Sequence, residues 1–98
     1  MTPKYRITPR AAADLDATAD YTIEKWGVEQ LESYLNALAS RFEWLASNPL
    51  LGRERNDVHK GYRSYPEGSH VVFYIAQGDS IAIIGIPHKS MDIGEFFI

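Results

Sequence analysis

The 98-residue chain has no cysteine, so no disulfide staples it and no thiolate can bind a metal; packing alone must hold it together. That usage fits a reducing cytoplasm. No apolar run approaches the roughly 20 residues of a membrane span, and the opening Met-Thr-Pro-Lys-Tyr-Arg-Ile has no signal-peptide core. A soluble, cytoplasmic protein without a membrane role is expected. The 7 glycines stand singly at turns, which excludes a phosphate-cradling loop or a dinucleotide fingerprint. Only His59, His70 and His88 could offer imidazole, and no two lie within helical reach, so no metal and no cofactor is expected. Positive charge is also short. With 10 Lys and Arg against 13 Asp and Glu, the formal net charge of −3 argues against a protein that binds by blanketing nucleic-acid phosphates.

What is present is 45% hydrophobic content, enough for one core and hence one domain over residues 1–98. The stretch from Gly61 to His88 reads as three consecutive strands. Gly78-Asp79 suits a type II′ hairpin turn because glycine supplies the positive φ at its first position. Counting outward sets Ile75 opposite Ala82, Phe73 opposite Ile84 and Val71 opposite Ile86, an apolar face expected to carry the core. The reverse face, with His70, Val72, Tyr74, Ala76, Ile81, Ile83, Gly85 and Pro87, is mixed and expected to be half wet. If Glu67-Gly68 closes the preceding hairpin, Arg63 falls beside Val72 and Tyr65 beside His70 on that second face, unless a bulge intervenes.

Upstream, Lys4 to Thr8 alternates as a short strand, and Thr8-Pro9 opens a helix: threonine caps the free amides and proline fits the first helical position. Ala12, Leu15, Ala19, Ile23 and Trp26 give its apolar stripe, with Asp14, Asp16, Asp20 and Glu24 on solvated faces. Gly27 stops it. Leu31, Leu35, Leu38, Phe42 and Leu45 mark a second helix that Asn48-Pro49 ends, and so short a link demands a helical hairpin. Residues 48–60 read as an irregular surface connection. The expected fold is α+β, in the order β-α-α-β-β-β, with the hairpin packed on one face of a small, mainly antiparallel sheet.

A Ser69-His70-Asp92 triad fails because adjacent strand residues diverge. The second sheet face is richer: Arg63, Tyr65 and His70, with Tyr74, would supply the guanidinium, proton-transfer group and aromatic rings that metal-free RNA cleavage needs, though each also has ordinary structural uses.

Several stretches together resemble the ParE branch of the RelE/ParE toxin superfamily: Tyr5-Arg6-Ile7-Thr8-Pro9, Ala13-Asp14-Leu15, Trp26-Gly27 with Tyr34-Leu35, Asn48-Pro49-Leu50-Leu51-Gly52, Gly61-Tyr62-Arg63, Gly68 to Tyr74, and His88-Lys89-Ser90-Met91-Asp92. The resemblance implies a type II toxin neutralised by a ParD-like antitoxin, which meets operator DNA only through that antitoxin. It implies DNA gyrase as the target, inhibited by binding rather than by catalysis. An amphipathic antitoxin segment would dock on Tyr21, Trp26, Leu31, Tyr34 and Trp44, large groups that one helical seam does not cover, although Trp44 could equally pack on the sheet. The tail would engage the target through His88, Lys89, Met91, Asp92 and Phe97, with Phe96 alone folding back. The alternatives are a RelE-type, ribosome-dependent mRNA endoribonuclease using Arg63, Tyr65 and His70, and a non-toxic co-regulator of its operon.

Overall fold

The computed structural model describes residues 4–97; Ile98, the last residue of the apolar ending, lies outside them. The chain forms β1 (Lys4–Ile7), α1 (Pro9–Trp26), α2 (Val28–Ser47), β2 (Arg53–Glu54), β3 (Tyr62–Glu67), β4 (His70–Gln77), β5 (Ser80–Gly85) and α3 (Ile93–Phe96). The sheet order is β1-β5-β4-β3-β2, and only the β1–β5 pairing is parallel. This is the expected α+β architecture with two additions. The 48–60 connection contributes β2, whose two residues pair with Ser64 and Arg63, too short a strand to leave a periodic signal. The tail contributes α3, capped by Asp92.

Thr8 fastens the first helix to the sheet. Its Oγ1 accepts from the Ala11 amide at 3.3 Å and donates to the Ile83 carbonyl at 2.8 Å. Gly27, at φ +90°, is the only residue between the helices; its amide donates to the carbonyls of Thr22 and Ile23. The second helix buries Leu31, Leu38, Phe42 and Leu45 as its stripe requires. The first does not follow its stripe: Ala11 and Thr22 are buried, Leu15 is partly so, and Ile23 and Trp26 are exposed. The reason is Asp14, whose Oδ2 accepts from the Ile86 amide at 2.9 Å and turns its own side of α1 toward the sheet. A carboxylate that periodicity assigns to water thus sets the helix's rotation.

The β4–β5 turn forms on Gly78-Asp79, with Gln77 paired to Ser80. Gly78 has φ +62°, and no non-glycine among the described residues has positive φ, as a type II′ turn requires. Ile75 faces Ala82 as counted, but a bulge between Phe73 and Tyr74 then shifts the register. Tyr74 pairs with Ile83 and Phe73 with Gly85, leaving Ile84 as the extra residue, so the expected Phe73–Ile84 and Val71–Ile86 pairs do not form. Beyond the bulge, Ile86 and His88 change sides, and His88 bridges to His70.

The β3–β4 turn is Gly68-Ser69, not Glu67-Gly68, because Gly68 must hold the first central position, where φ is +58°. Arg63 therefore faces Tyr74, and Tyr65 faces Val72. A shift of two preserves the face, so these residues share one side of the sheet as expected.

That side is not half wet. Val72, Tyr74, Ile81, Ile83 and Ile86 form the core with Ala11, Leu38, Phe42 and Leu45, so the helical hairpin covers the face expected to stay partly open. Tyrosine serves there because its polar tip has backbone partners: Tyr74 Oη donates to the Pro49 carbonyl at 2.8 Å and accepts from the Gly52 amide at 2.9 Å. The opposite face is covered by the tail. Phe97 meets Phe73 edge-on at 4.9 Å, and Gly85 leaves room for the Phe96 and Phe97 rings, where a Cβ would approach Phe96 to 2.9 Å. Phe97 therefore folds back alongside Phe96 instead of standing free.

Candidate functional site: a cleft between the first helix and the tail

A cleft of about 610 Å³ runs between one side of α1, the start of α2, the β3–β4 turn and the segment after β5. Its walls carry Tyr21, Trp26, Tyr34 and Met91, and its floor holds His70 and His88. Tyr21 and Trp26 are 58% and 64% exposed and Met91 is 51% exposed, so three of the exposed large apolar side chains, which elsewhere include Leu50 and Leu51, gather on this cleft. Residues assigned from sequence to three separate roles meet here: Tyr21, Trp26 and Tyr34 from the helices, His88 and Met91 from the tail, and His70 from the sheet. The bulge at Ile84 makes this possible, since without it Pro87 rather than His88 would lie opposite His70.

Hydrogen bonds fix the polar floor. Tyr34 Oη lies 2.6 Å from His70 Nδ1 and 3.2 Å from the Glu67 carbonyl, and Thr18 Oγ1 lies 3.4 Å from His70 Nε2. One arrangement satisfies all three contacts: His70 carries its proton on Nδ1 and donates to the phenol, the phenol donates to Glu67, and Thr18 donates to Nε2. Burial, and next the Glu67 charge, push the Tyr34 phenol up to about 12. Burial also lowers the His70 pKa, with His88 adding to that effect and Asp14 opposing it. Both side chains are therefore neutral structural groups whose polar atoms are occupied.

His88 is arranged differently. Its Nδ1 accepts from the Ser90 amide at 3.1 Å and lies 2.8 Å from Ser90 Oγ, which places the neutral ring's proton on Nε2. The His70 and His88 rings stand edge to face at 5.3 Å. Among the described residues no group of three or more His, Cys, Asp or Glu comes close enough to hold a metal.

The remaining candidates lie elsewhere. Leu31 is buried at 8% exposure, and Trp44 packs on the sheet, edge-on to Tyr65 at 5.0 Å with the Arg41 guanidinium 4.8 Å over its ring. Arg63 donates to the carbonyls of Leu50 and Gly52 and meets Glu54 at 3.3 Å. Tyr65 sits beneath Arg41 and Trp44, so Arg63, Tyr65 and His70 share a face without opening onto a common space. Asp92 caps α3, Phe97 lies on the far sheet face, and Lys89 is an exposed residue whose amide donates to the Ser69 carbonyl. Sequence reasoning missed Asp14, Thr18 and Ser90, whose roles depend on cross-strand and helix-to-sheet contacts that no local pattern records.

A helical hairpin laid on a mainly antiparallel five-stranded sheet, flanked by an open aromatic cleft, is the architecture the resemblance implies. A solved structure described as "Chromosomal ParDE TA system from P. aeruginosa" shares this fold with a TM-score of 0.72 and 22% identity, covering 89% of this chain and 96% of that one. The family described as "ParE toxin of type II toxin-antitoxin system, parDE" matches residues 5–93. Among similar proteins, Toxin ParE1 of Mycobacterium tuberculosis (strain ATCC 25618 / H37Rv) is 36% identical over 95% of this chain and 96% of its own length. Toxin ParE1 of Caulobacter vibrioides is 41% identical over 90% and 91% respectively. The chain belongs to the ParE toxin family of type II toxin–antitoxin systems.

Proposed function

We propose that the chain arrests growth by binding DNA gyrase, performs no bond-making or bond-breaking step itself, and is neutralised in the cytoplasm by a ParD-like antitoxin seated in the aromatic cleft. The observation that carries the non-enzymatic part is the state of Arg63, Tyr65 and His70. A ribonuclease needs a free cation and a free proton-transfer group at one place, whereas these side chains are engaged by the Leu50 and Gly52 carbonyls, by Trp44 and Arg41, and by Tyr34 and Thr18. The antitoxin part is supported by family membership and by the exposure of Tyr21 and Trp26. No helix of the described residues is long and apolar enough to cross a membrane, which is compatible with a cytoplasmic target.

Of the tail residues assigned to the target, the exposed Met91 and Lys89 are the proposed gyrase contacts, while Asp92, though also exposed, caps α3 and Phe97 packs on the sheet. Deleting residues 91–98 would also uncover Phe73, so Met91→Asp with Lys89→Glu is the cleaner variant. Expressed in cells, the intact chain should produce protein-linked DNA breaks with mRNA left whole, and the double variant should not. Ribosome-dependent mRNA cleavage with supercoiling untouched would return the sheet to a nuclease role. Normal growth with operon repression retained would favour the co-regulator.

A further inference from the structure

The turn after α2 displays two leucines that the core does not use. Leu50 is 71% exposed, more than any other large apolar side chain among the described residues, and Leu51 is 57% exposed. Their backbone, by contrast, is fixed from inside. Asn48 to Leu51 close a β-turn through the Leu51 amide and the Asn48 carbonyl at 3.1 Å, with Pro49 at the position such turns favour. Buried Tyr74 donates to the Pro49 carbonyl, and Arg63 Nη1 donates to the carbonyls of Leu50 at 3.3 Å and Gly52 at 2.8 Å. Asn48 Nδ2 ties the turn back to the Trp44 carbonyl at 2.9 Å. Gly52 seats the chain directly on the Tyr74 phenol, where a Cβ would collide. A partner would not have to order this loop, which removes an entropic cost of binding.

Position separates this turn from the aromatic cleft. Between Tyr34, which lines the cleft, and Ser47, which precedes the turn, α2 runs about 20 Å at 1.5 Å per residue. Met91 lines the cleft itself, so an antitoxin seated there covers that part of the tail and leaves the two leucines open. Area excludes a dimer of turns, because two leucines a side fall far short of the roughly 800 Å² that each partner of a standard interface buries. A fixed, convex pair of leucines instead fits a concave apolar pocket on a larger protein. Charge describes the rim of that pocket. Arg55 and Arg63 pair with Asp57 and Glu54 at 3.1 and 3.3 Å, whereas exposed Arg53, two residues from Leu51, has no carboxylate partner among the described residues. We infer that Leu50 and Leu51 enter an apolar pocket of DNA gyrase whose rim offers a carboxylate to Arg53, a second target contact besides the tail. The inference rests on reading gyrase as the target and adds a place where it is gripped.

Leu50→Ser/Leu51→Ser in the full chain tests it. The urea midpoint should not move, since both side chains already stand in water, and antitoxin affinity should stay within about twofold. Protein-linked DNA breaks on expression, and capture of purified gyrase, should both fall about tenfold or more. Leu50→Met/Leu51→Met, apolar and of similar volume, should keep both. Arg53→Glu should slow association with gyrase roughly threefold, and an unchanged rate removes the carboxylate from the rim. Should the double serine change lower the midpoint, Leu50→Ser alone, at the more exposed position, carries the same test. Breaks retained by the serine variant overturn the leucine contact and leave gyrase as the target. Antitoxin affinity lost together with the breaks assigns the turn to the antitoxin and overturns it too, as does sedimentation in which the intact chain self-associates and the serine variant does not. An intact chain that arrests growth without breaks removes the gyrase reading and this occupant together.

Discussion

Two aromatic groups that include side chains of the helical hairpin contain the same residue types and serve opposite ends. Trp44 packs with Tyr65 against the core that holds Tyr74, where each polar tip or ring edge has a partner: Tyr74 has the Pro49 carbonyl and Gly52 amide, and Trp44 has Tyr65 and Arg41. Trp26 and Tyr21, where α1 ends, share only Lys25 and are mostly in water. Residue type alone does not decide whether an aromatic is core or interface. What decides is whether the surrounding backbone supplies a partner and a cover, and only α2 lies where the sheet and the 48–54 connection supply both.

The largest contrast lies in the two tryptophans. Trp44→Ala should cost about 3 kcal/mol of stability, since it opens a void against Tyr65. Trp26→Ala should change stability by no more than about 0.5 kcal/mol, an exposed substitution with nothing to collapse onto, while weakening antitoxin binding. Urea unfolding of both variants measures the difference. Similar losses would mean that Trp26 is packed in solution and that the two groups are not distinct.

Tyr74→Phe sharpens the same contrast from the core side. It keeps the ring and removes the hydroxyl that serves Pro49 and Gly52, leaving a buried amide and carbonyl without partners at about 2 kcal/mol. Gly52 leaves no alternative, because a side chain there would collide with the Tyr74 phenol. The same change at exposed Tyr21 should be nearly silent. Comparable urea midpoints for Tyr74→Phe and the unmodified protein would show that water replaces the hydroxyl.

The fold was legible because its signals are local: Thr8-Pro9, Gly27, the α2 leucines and Gly78-Asp79 each act within a few residues. The side of the sheet facing the helices was not. It goes with Asp14 reaching the Ile86 amide, a long-range fact, and the bulge at Ile84 is a second one that adds Ile86 to the covered side. The turn rule that correctly placed Gly78 would also have placed Gly68, since each glycine needs the same positive-φ position. The cleft escaped sequence reading for a related reason. Its members are distant in the chain, and Thr18 and Thr22, on the covered side of α1, look like surface residues. Helices and tail consequently read as separate docking sites although they enclose one space.

A smaller effect is expected from pH. Because burial, and then His88, hold the His70 pKa below its ordinary value, the unfolded chain takes up a proton before the folded one does. Stability is then fully present above the usual histidine pKa of about 6.5 and falls as pH drops through it toward the folded-state value. Asp14 moderates the loss, and Tyr34 stays neutral throughout this range. Urea midpoints measured from about pH 8 to about pH 5.5 should fall less in His70→Gln than in the unmodified chain. Equal falls would show that His70 is not held neutral by the fold and that the cleft floor is wetter than its hydrogen bonds imply.

The smallest expected effect concerns the Arg41–Glu67 pair beside the covered aromatic group. The contact is short, 2.8 Å, but both side chains keep some exposure, 29% and 18%, so attraction competes with solvation. Arg41 also lies over the Trp44 and Tyr65 rings at 4.8 and 4.7 Å, and its stem covers apolar surface. Glu67→Gln, which leaves the stacking in place, should cost less than about 1 kcal/mol. Arg41→Ala should cost more, because it also uncovers the two rings. A double-mutant cycle between the two positions isolates the charge pair, and a coupling well above 1 kcal/mol, with the ~0–1 kcal/mol range of exposed pairs as reference, would mean that this end of the hairpin is held by electrostatics more than by cover. The contrast with the open cleft would then lie in charge rather than in burial.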